Sequence, residues 1–281
     1  MCIRLFIFLT AFGWGLPARS QLLRRPMGSA YTGVGAYSRN HADLFSFTSN
    51  PAALGSLKNM AIGVYGERRY LLKELSQYSL VAAMPASLGS FGLELYQAGF
   101  AGFREMQFGL SYAHDLGKKA DAGLRFGYHT TSIGAGYGSA AALTAGVGVV
   151  LHISERLHTG LSIYNPVGGK FGKGKEEKLA SVYQFGCGYE ASDQFYIGAV
   201  IEKEEAQPVN VHAGIQYQPI PILLLRAGIN TASSSALMGA GFRLKQFRID
   251  ITAAVHPQLG ISPGILLICV FERSVPQNKT E

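Results

Sequence analysis

Three glycine-bracketed stretches of this 281-residue chain have the spacing of chemistry-bearing motifs, and each lacks a part that the chemistry needs. Gly169 to Lys175 reads Gly-Lys-Phe-Gly-Lys-Gly-Lys, the spacing of a loop that cradles phosphate. Glu176, however, stands where a Ser or Thr hydroxyl would bind magnesium. Gly260-Ile261-Ser262-Pro263-Gly264 has the spacing of a nucleophile elbow. A strand pattern follows it rather than a helix, and no histidine lies downstream to serve as base. Gly134-Ala135-Gly136 runs on to Ser139 instead of a third glycine, so it does not open a dinucleotide site. The seven histidines are scattered, with no zinc-ligand spacing among them. No enzyme, cofactor or metal site is expected. What remains is a set of charged residues at one parity of apolar segments: Arg125, His212, Arg226, Arg243, Arg248 and Asp250. In a narrow barrel such groups line a polar lumen, where arginines pair with carboxylates.

The elements that carry these residues alternate with a period of two, which belongs to strands. Val209, Val211, Ala213, Ile215 and Tyr217 oppose Asn210, His212, Gly214, Gln216 and Gln218. Leu124, Phe126 and Tyr128 oppose Gly123, Arg125 and Gly127, and Phe247, Ile249 and Ile251 oppose Arg248, Asp250 and Thr252. Fourteen such segments begin near Lys58, Leu75, Ser87, Arg104, Lys118, Gly138, Glu155, Lys178, Asp193, Pro208, Pro221, Ser233, Gln246 and Leu259. Each has the roughly 9 to 12 residues that a tilted strand needs to cross a bilayer. Joins after even-numbered segments are tight, as at Pro85-Ala86 and Lys245-Gln246. Those after odd-numbered ones are expected to be longer: Glu67 to Glu74, Ala98 to Gly102, Thr131 to Gly138, Pro166 to Lys178, Glu202 to Gln207 and His256 to Gly264. Short turns on one side and longer loops on the other mark an up-and-down transmembrane β-barrel.

Composition agrees. Hydrophobic residues make up 48% and charged ones only 15%, against about a quarter in soluble domains. The 35 glycines and 30 Tyr plus Phe argue against helices, and the small net charge of +7 argues for no nucleic-acid partner. Residues 1–20 read as a cleaved secretory signal peptide, with basic Arg4, an apolar run from Leu5 to Trp14, and Ala18-Arg19-Ser20 at the cleavage site. Its loss would remove Arg4 and Arg19 and lower the charge to +5; it would also remove the only tryptophan, Trp14. Interfacial girdles then fall to Tyr65, Tyr112, Tyr128, Tyr189 and Tyr217. Cys187 and Cys269 lie in apolar strand runs and are expected to be free, buried or facing lipid.

Residues 21–57 do not alternate. They contain Gly28, Gly33 and Gly35, then Asp43, then Asn50-Pro51-Ala52, shortly before the first strand. In this stretch the chain resembles the FadL-like outer-membrane barrels, and within them the branch containing the PorV and PorQ proteins of type IX secretion. The Gly that commonly follows the Asn-Pro-Ala is Ala53 here, and His256-Pro257-Gln258-Leu259-Gly260 resembles the branch more weakly. The resemblance implies an all-β barrel of 14 strands over 58–272, a hatch over 21–57 and a short tail at 273–281, in the outer membrane of a Gram-negative-type envelope. The glycines would give the hatch tight turns, and Pro51 would fix a bend before the wall. Two functions are open. The PorV-like resemblance implies an accessory of protein secretion or surface attachment that binds machinery or cargo through its loops. The FadL-like resemblance implies a passive channel for small hydrophobic solutes, with the hatch gating a route through a kink or gap in the wall. The glycine-rich, arginine-bearing inward faces favour the first.

Overall fold

The computed structural model describes residues 33–134, 138–166, 168, 170–171, 177–205 and 207–271. The signal peptide, Gly28, the tail and most of the Gly169–Lys175 loop lie outside these residues. Sixteen strands form: β1 Met60–Arg68, β2 Ser76–Ala86, β3 Gly89–Phe100, β4 Phe103–Asp115, β5 Ala120–Ile133, β6 Gly138–His152, β7 Leu157–Tyr164, β8 Lys170–Phe171, β9 Glu177–Lys178, β10 Val182–Ser192, β11 Phe195–Glu204, β12 Asn210–Ile220, β13 Leu223–Asn230, β14 Ser235–Leu244, β15 Phe247–His256 and β16 Gly260–Phe271. Fourteen of them close into one antiparallel barrel, and β8 and β9 make a small ribbon in the loop between β7 and β10. The ring is sealed by β1 against β16, from Met60 opposite Phe271 to Glu67 opposite Gly264.

The alternation sets the two faces. In β5, Leu124, Phe126 and Tyr128 point outward while Gly123, Arg125, Gly127 and His129 point inward and are buried. The other strands repeat this, so the outside is a belt of exposed Val, Ile, Leu, Phe and Met, with Phe126 64% and Leu143 74% exposed. A belt that wide is untenable in water and matches a hydrocarbon environment. Every barrel strand is paired on both sides, so its backbone polar groups need no water inside a bilayer. No helix among the described residues is long and apolar enough to cross a membrane. Cys187 and Cys269 are free thiols at outward parity.

Three expectations change. Tyr65 is not part of an outer girdle: it shares the inward parity of Ala61 and Gly63 and donates to Glu67 Oε2 at 2.7 Å. Tyr112, Tyr128, Tyr189 and Tyr217 do take the outward parity, and near the short turns Phe91 packs on Tyr112 and Phe195 on Tyr217 at 5.2 and 6.0 Å between ring centres. The joins are also less lopsided than expected. Ala98 to Gly102 is not a loop, because β3 and β4 pair to their ends, Phe100 against Phe103. Gly99 allows this by taking φ +104°, where a Cβ would lie 2.0 Å from the Phe103 carbonyl oxygen. Likewise β16 starts at Gly260, leaving only residues 257–259 after β15. The longest connections are those from β1 to β2 and from β7 to β10.

The stretch before β1 folds inside the ring, in the half nearest the short turns. It makes three 3-10 turns, Val34–Ala36, Leu44–Thr48 and Pro51–Ser56. Their apolar side chains form the main hydrophobic cluster with inward wall residues: Tyr37, Leu44, Phe45, Phe47 and Leu54 meet Ala61, Val81, Tyr96, Val150 and Ile268. Full burial of each large apolar side chain is worth about 1.5–3 kcal/mol. The core of this barrel is thus the contact between its inner segment and its wall.

Candidate functional site

The inner segment is shaped by two capping residues. Asp43 begins the Leu44–Thr48 turn: its carboxylate accepts from the Phe45 N–H at 3.3 Å, and Ser46 Oγ accepts from the Asp43 N–H at 3.0 Å. Asn50 begins the next turn, its Oδ1 accepting from the Ala52 N–H at 3.1 Å, and Pro51 takes the first position where no N–H is required. Asn50 Nδ2 reaches the wall, donating to the carbonyls of Val149 and Leu161 at 3.5 and 3.4 Å. Gly33 and Gly35 do not serve as turn glycines. Gly33 has an ordinary φ of −69°, and Gly35 packs where a Cβ would meet the His41 carbonyl at 3.1 Å.

Wall glycines make room for this segment. A Cβ on Gly148 would lie 2.0 Å from Asn50 Oδ1, one on Gly123 2.5 Å from the Ala52 nitrogen, and one on Gly186 2.2 Å from the Tyr37 ring. Gly123, Gly148 and Gly186 are therefore sockets for named residues of the segment.

Charged side chains hold it further. Asp43 is buried between Arg226, whose Nη2 lies 2.6 Å from its Oδ2, and Arg248, which bonds the same oxygen. Asp250 faces both arginines, 2.9 Å from Arg248 Nε and 3.8 Å from Arg226 Nη1. Burial opposes ionisation of Asp43, but the charges of Arg248 and Arg226 and their hydrogen bonds outweigh it. Its carboxyl is held well below the usual range. Arg125 is buried too; its Nη1 donates to the Thr48 carbonyl at 2.8 Å and its Nη2 lies 2.5 Å from Glu94 Oε2. Arg243 points inward at the rim of the short-turn mouth. His212 lies higher, 2.8 Å from Asn210 Nδ2 and 3.6 Å from Glu202. The inward set thus divides: Arg125, Arg226, Arg248 and Asp250 converge on the inner segment, whereas His212 belongs to the lumen above it.

Sequence spacing gave no sign of a second clasp. Asp121, His152, His158 and Glu190 form a buried chain, with His152 Nε2 3.2 Å from Asp121, the two Nδ1 atoms 2.8 Å apart and His158 Nε2 3.1 Å from Glu190. Both carboxylates grip the inner segment. Asp121 accepts from Ser56 Oγ at 3.0 Å, and Glu190 accepts from Ser38 Oγ and from the Arg39 and Asn40 N–H groups at 2.7, 2.7 and 3.0 Å. The available signal was pairing rather than spacing: His152 and His158 flank one tight turn and stand directly opposite each other. No group of three or more His, Cys, Asp or Glu suited to a metal occurs among the described residues.

Above the segment the lumen is polar, with Gln77 bonded to Tyr96 at 3.0 Å and Thr144 to Tyr164 at 2.9 Å. Ser262, the centre of the elbow-like motif, accepts from the Tyr70 N–H at 2.9 Å and so ties down the 69–75 loop. On the outside of the wall, β16 and β1–β5 enclose an apolar hollow of about 690 Å³. Outward Val64, Tyr78, Leu95, Met106, Phe108 and Tyr128 line it, and inward-parity Tyr65, Ser79, Tyr96 and Gln107 reach it at the same level. The ladders through it are unbroken, Gln77 to Ala86 against Ala98 to Gly89, so the wall has no gap there.

No protein-family model matches the sequence, and no curated protein matches it. Solved structures do. The CymD monoaromatic hydrocarbon channel superposes with a TM-score of 0.66 at 12% identity, covering 88% of this chain and 97% of that one. The toluene transporter TbuX of Ralstonia pickettii gives 0.65 at 11%, covering 88% and 98%. A FadL homologue of Pseudomonas aeruginosa gives 0.59 at 11%, covering 86% and 97%. At such identities the likeness speaks for architecture alone: this chain is a closed, antiparallel ring of 14 strands whose fold is similar to that of these channels.

Proposed function

We propose that this protein is an outer-membrane channel for small hydrophobic solutes, with residues 33–57 as the hatch that closes its inner mouth. The observation that carries the reading is the aromatic-lined hollow in the outer wall. It offers an apolar solute about 690 Å³ of lining made of Tyr78, Met106, Phe108 and Tyr128, at a level where lumen-side Tyr65, Ser79, Tyr96 and Gln107 also contribute. With the inner mouth filled by the hatch, an apolar solute would leave the lumen sideways at this level, by a transient opening of the paired strands that line the hollow. The solved structures that this barrel resembles include hydrocarbon and toluene channels, which supports this reading over the secretion reading that the inward arginines favoured. Those arginines have another use, since Arg125, Arg226 and Arg248 bind the hatch.

The test is uptake of radiolabelled toluene into vesicles reconstituted with the barrel. Entry should exceed that of empty vesicles several-fold. Gly66→Trp, which fills the hollow from the outer face beside Tyr78, should abolish most of the gain while leaving the barrel folded. Uptake no faster than in empty vesicles, together with crosslinking of the 69–75 and 165–181 loops to secretion machinery or cargo, would return the secretion reading.

A further inference from the structure

Beside the Asp43 cluster, where the hatch meets β1 and β14–β16, a separate hollow of about 260 Å³ opens at the short-turn mouth. Four cations line it: Arg39 and Lys58 from the chain before β1, Arg243 from β14 and Arg248 from β15. Asn40 and Asn59 are at its edge, the Asn40 amide already donating to Glu190 Oε2 at 2.7 Å, and Asp43 is the single carboxylate in the lining. Asp43 is already engaged by Arg226 and Arg248.

Among the described residues the cations of this corner outnumber the carboxylates. Arg243 and Arg248 stand directly opposite each other across β14 and β15, a cross-strand arrangement of like charges that destabilises a sheet. Asp43 and Asp250 compensate Arg226 and Arg248. Arg243 has no ion pair among the described residues, and Arg39 and Lys58 add two further positive charges at the entrance. Arg39 Nη1 bonds only a carbonyl, that of Lys118, at 3.0 Å. A concave site lined by several cations, with a surplus of positive charge, attracts an anion whose several oxygens can accept from several donors at once.

We propose that this hollow is a binding site for a phosphate group, built jointly by the hatch and the wall. Arg243 is its principal ligand, and Arg39 and Lys58 close over the anion from the hatch side. Phosphate suits the site better than a carboxylate, because three cations that approach from two sides match a tetrahedral cluster of acceptors rather than a planar pair. The group comes either from free phosphate at the inner face of the membrane or from a phospholipid headgroup of the inner leaflet. Because its ligands come from both bodies, bound phosphate would hold the hatch to β14 and β15. The site is independent of whether the barrel conducts hydrocarbons.

Two measurements on the full barrel test this. Equilibrium dialysis in detergent with radiolabelled inorganic phosphate should show saturable binding, weakened about tenfold or more in Arg243→Gln and several-fold in Lys58→Gln. Native mass spectrometry after release from phosphatidylglycerol nanodiscs reads the second source: retained lipid on the wild type that is lost in Arg243→Gln assigns the headgroup. Arg243 lies at the rim and supports no other described side chain, so both variants should keep the heat-modifiable gel mobility of a folded barrel. Binding from either source that is unchanged in both folded variants, or no saturable phosphate binding together with no retained lipid, overturns the proposal.

Discussion

Asp43 illustrates how one buried carboxylate can join two bodies. It caps a hatch turn and neutralises two wall arginines, so its removal takes away one of the acids, beside Asp250, that face Arg226 and Arg248. Breaking a buried pair from one side costs about 3–5 kcal/mol. Asp43→Asn should therefore release the hatch, seen as rapid proteolysis of residues 33–57 in a barrel that otherwise stays intact. The pH dependence follows from the depressed carboxyl. A group whose folded value lies below its unfolded one stabilises fully above the unfolded value, near 4, and loses that contribution as pH falls through the folded value. Protection of the hatch by Asp43 should thus be constant from about pH 7 down to about pH 4 and decline only below that. A decline of equal size in Asp43→Asn would assign the acid sensitivity to other groups. Gly148 gives the complementary test. A leucine there would collide with Asn50 Oδ1, and overpacking of this kind costs about 1–3 kcal/mol. Gly148→Leu should loosen the hatch as Asp43→Asn does, without any change in charge.

Among the elements, the β6–β7 hairpin does more than contribute two staves to the wall. Its paired histidines link Asp121 to Glu190, the two acids that grip opposite ends of the hatch. His158→Leu removes one of several partners from Glu190 and leaves the buried His152 Nδ1 without its partner, at about 1–3 kcal/mol. The expected outcome is faster amide exchange at Ser38 to Asn40 while the β10–β11 ladder keeps its protection; faster exchange in both would point to a wall defect instead. The strands themselves were legible in the sequence, because one buried and one lipid-facing side force a strict period of two. The reading began β1 at Lys58 and β14 at Ser233, and the structure begins them at Met60 and Ser235. The tightness of several joins was not legible. A glycine-rich run such as Ala98 to Gly102 looks the same whether it forms a loop or a strand end, and only pairing with β4 decides. The inward parity of Arg125, Arg226 and Asp250 could be read from alternation, but their partners could not, since Asp43 and Thr48 lie in a segment without periodicity. Tyr65 was misplaced because an aromatic ring suits an interface and a lumen equally, and β1 alone sets its side.

At the scale of the whole molecule, a barrel of this size with an outer belt of exposed apolar residues should partition with the membrane fraction. It should run faster on gels when left unheated than after boiling, as closed barrels resist detergent unfolding. A heat-insensitive, freely soluble protein would contradict the closed ring. The architecture also fixes how far the hatch can travel. Leu57, Lys58 and Asn59 are all that separate its last turn from the first residue of β1. On so short a leash, a hatch freed from Asp121, Glu190, Arg226 and Arg248 stays within a few residues' reach of its sockets, at the millimolar local concentration that a short tether imposes. Re-docking of the freed segment onto its sockets is then a unimolecular event.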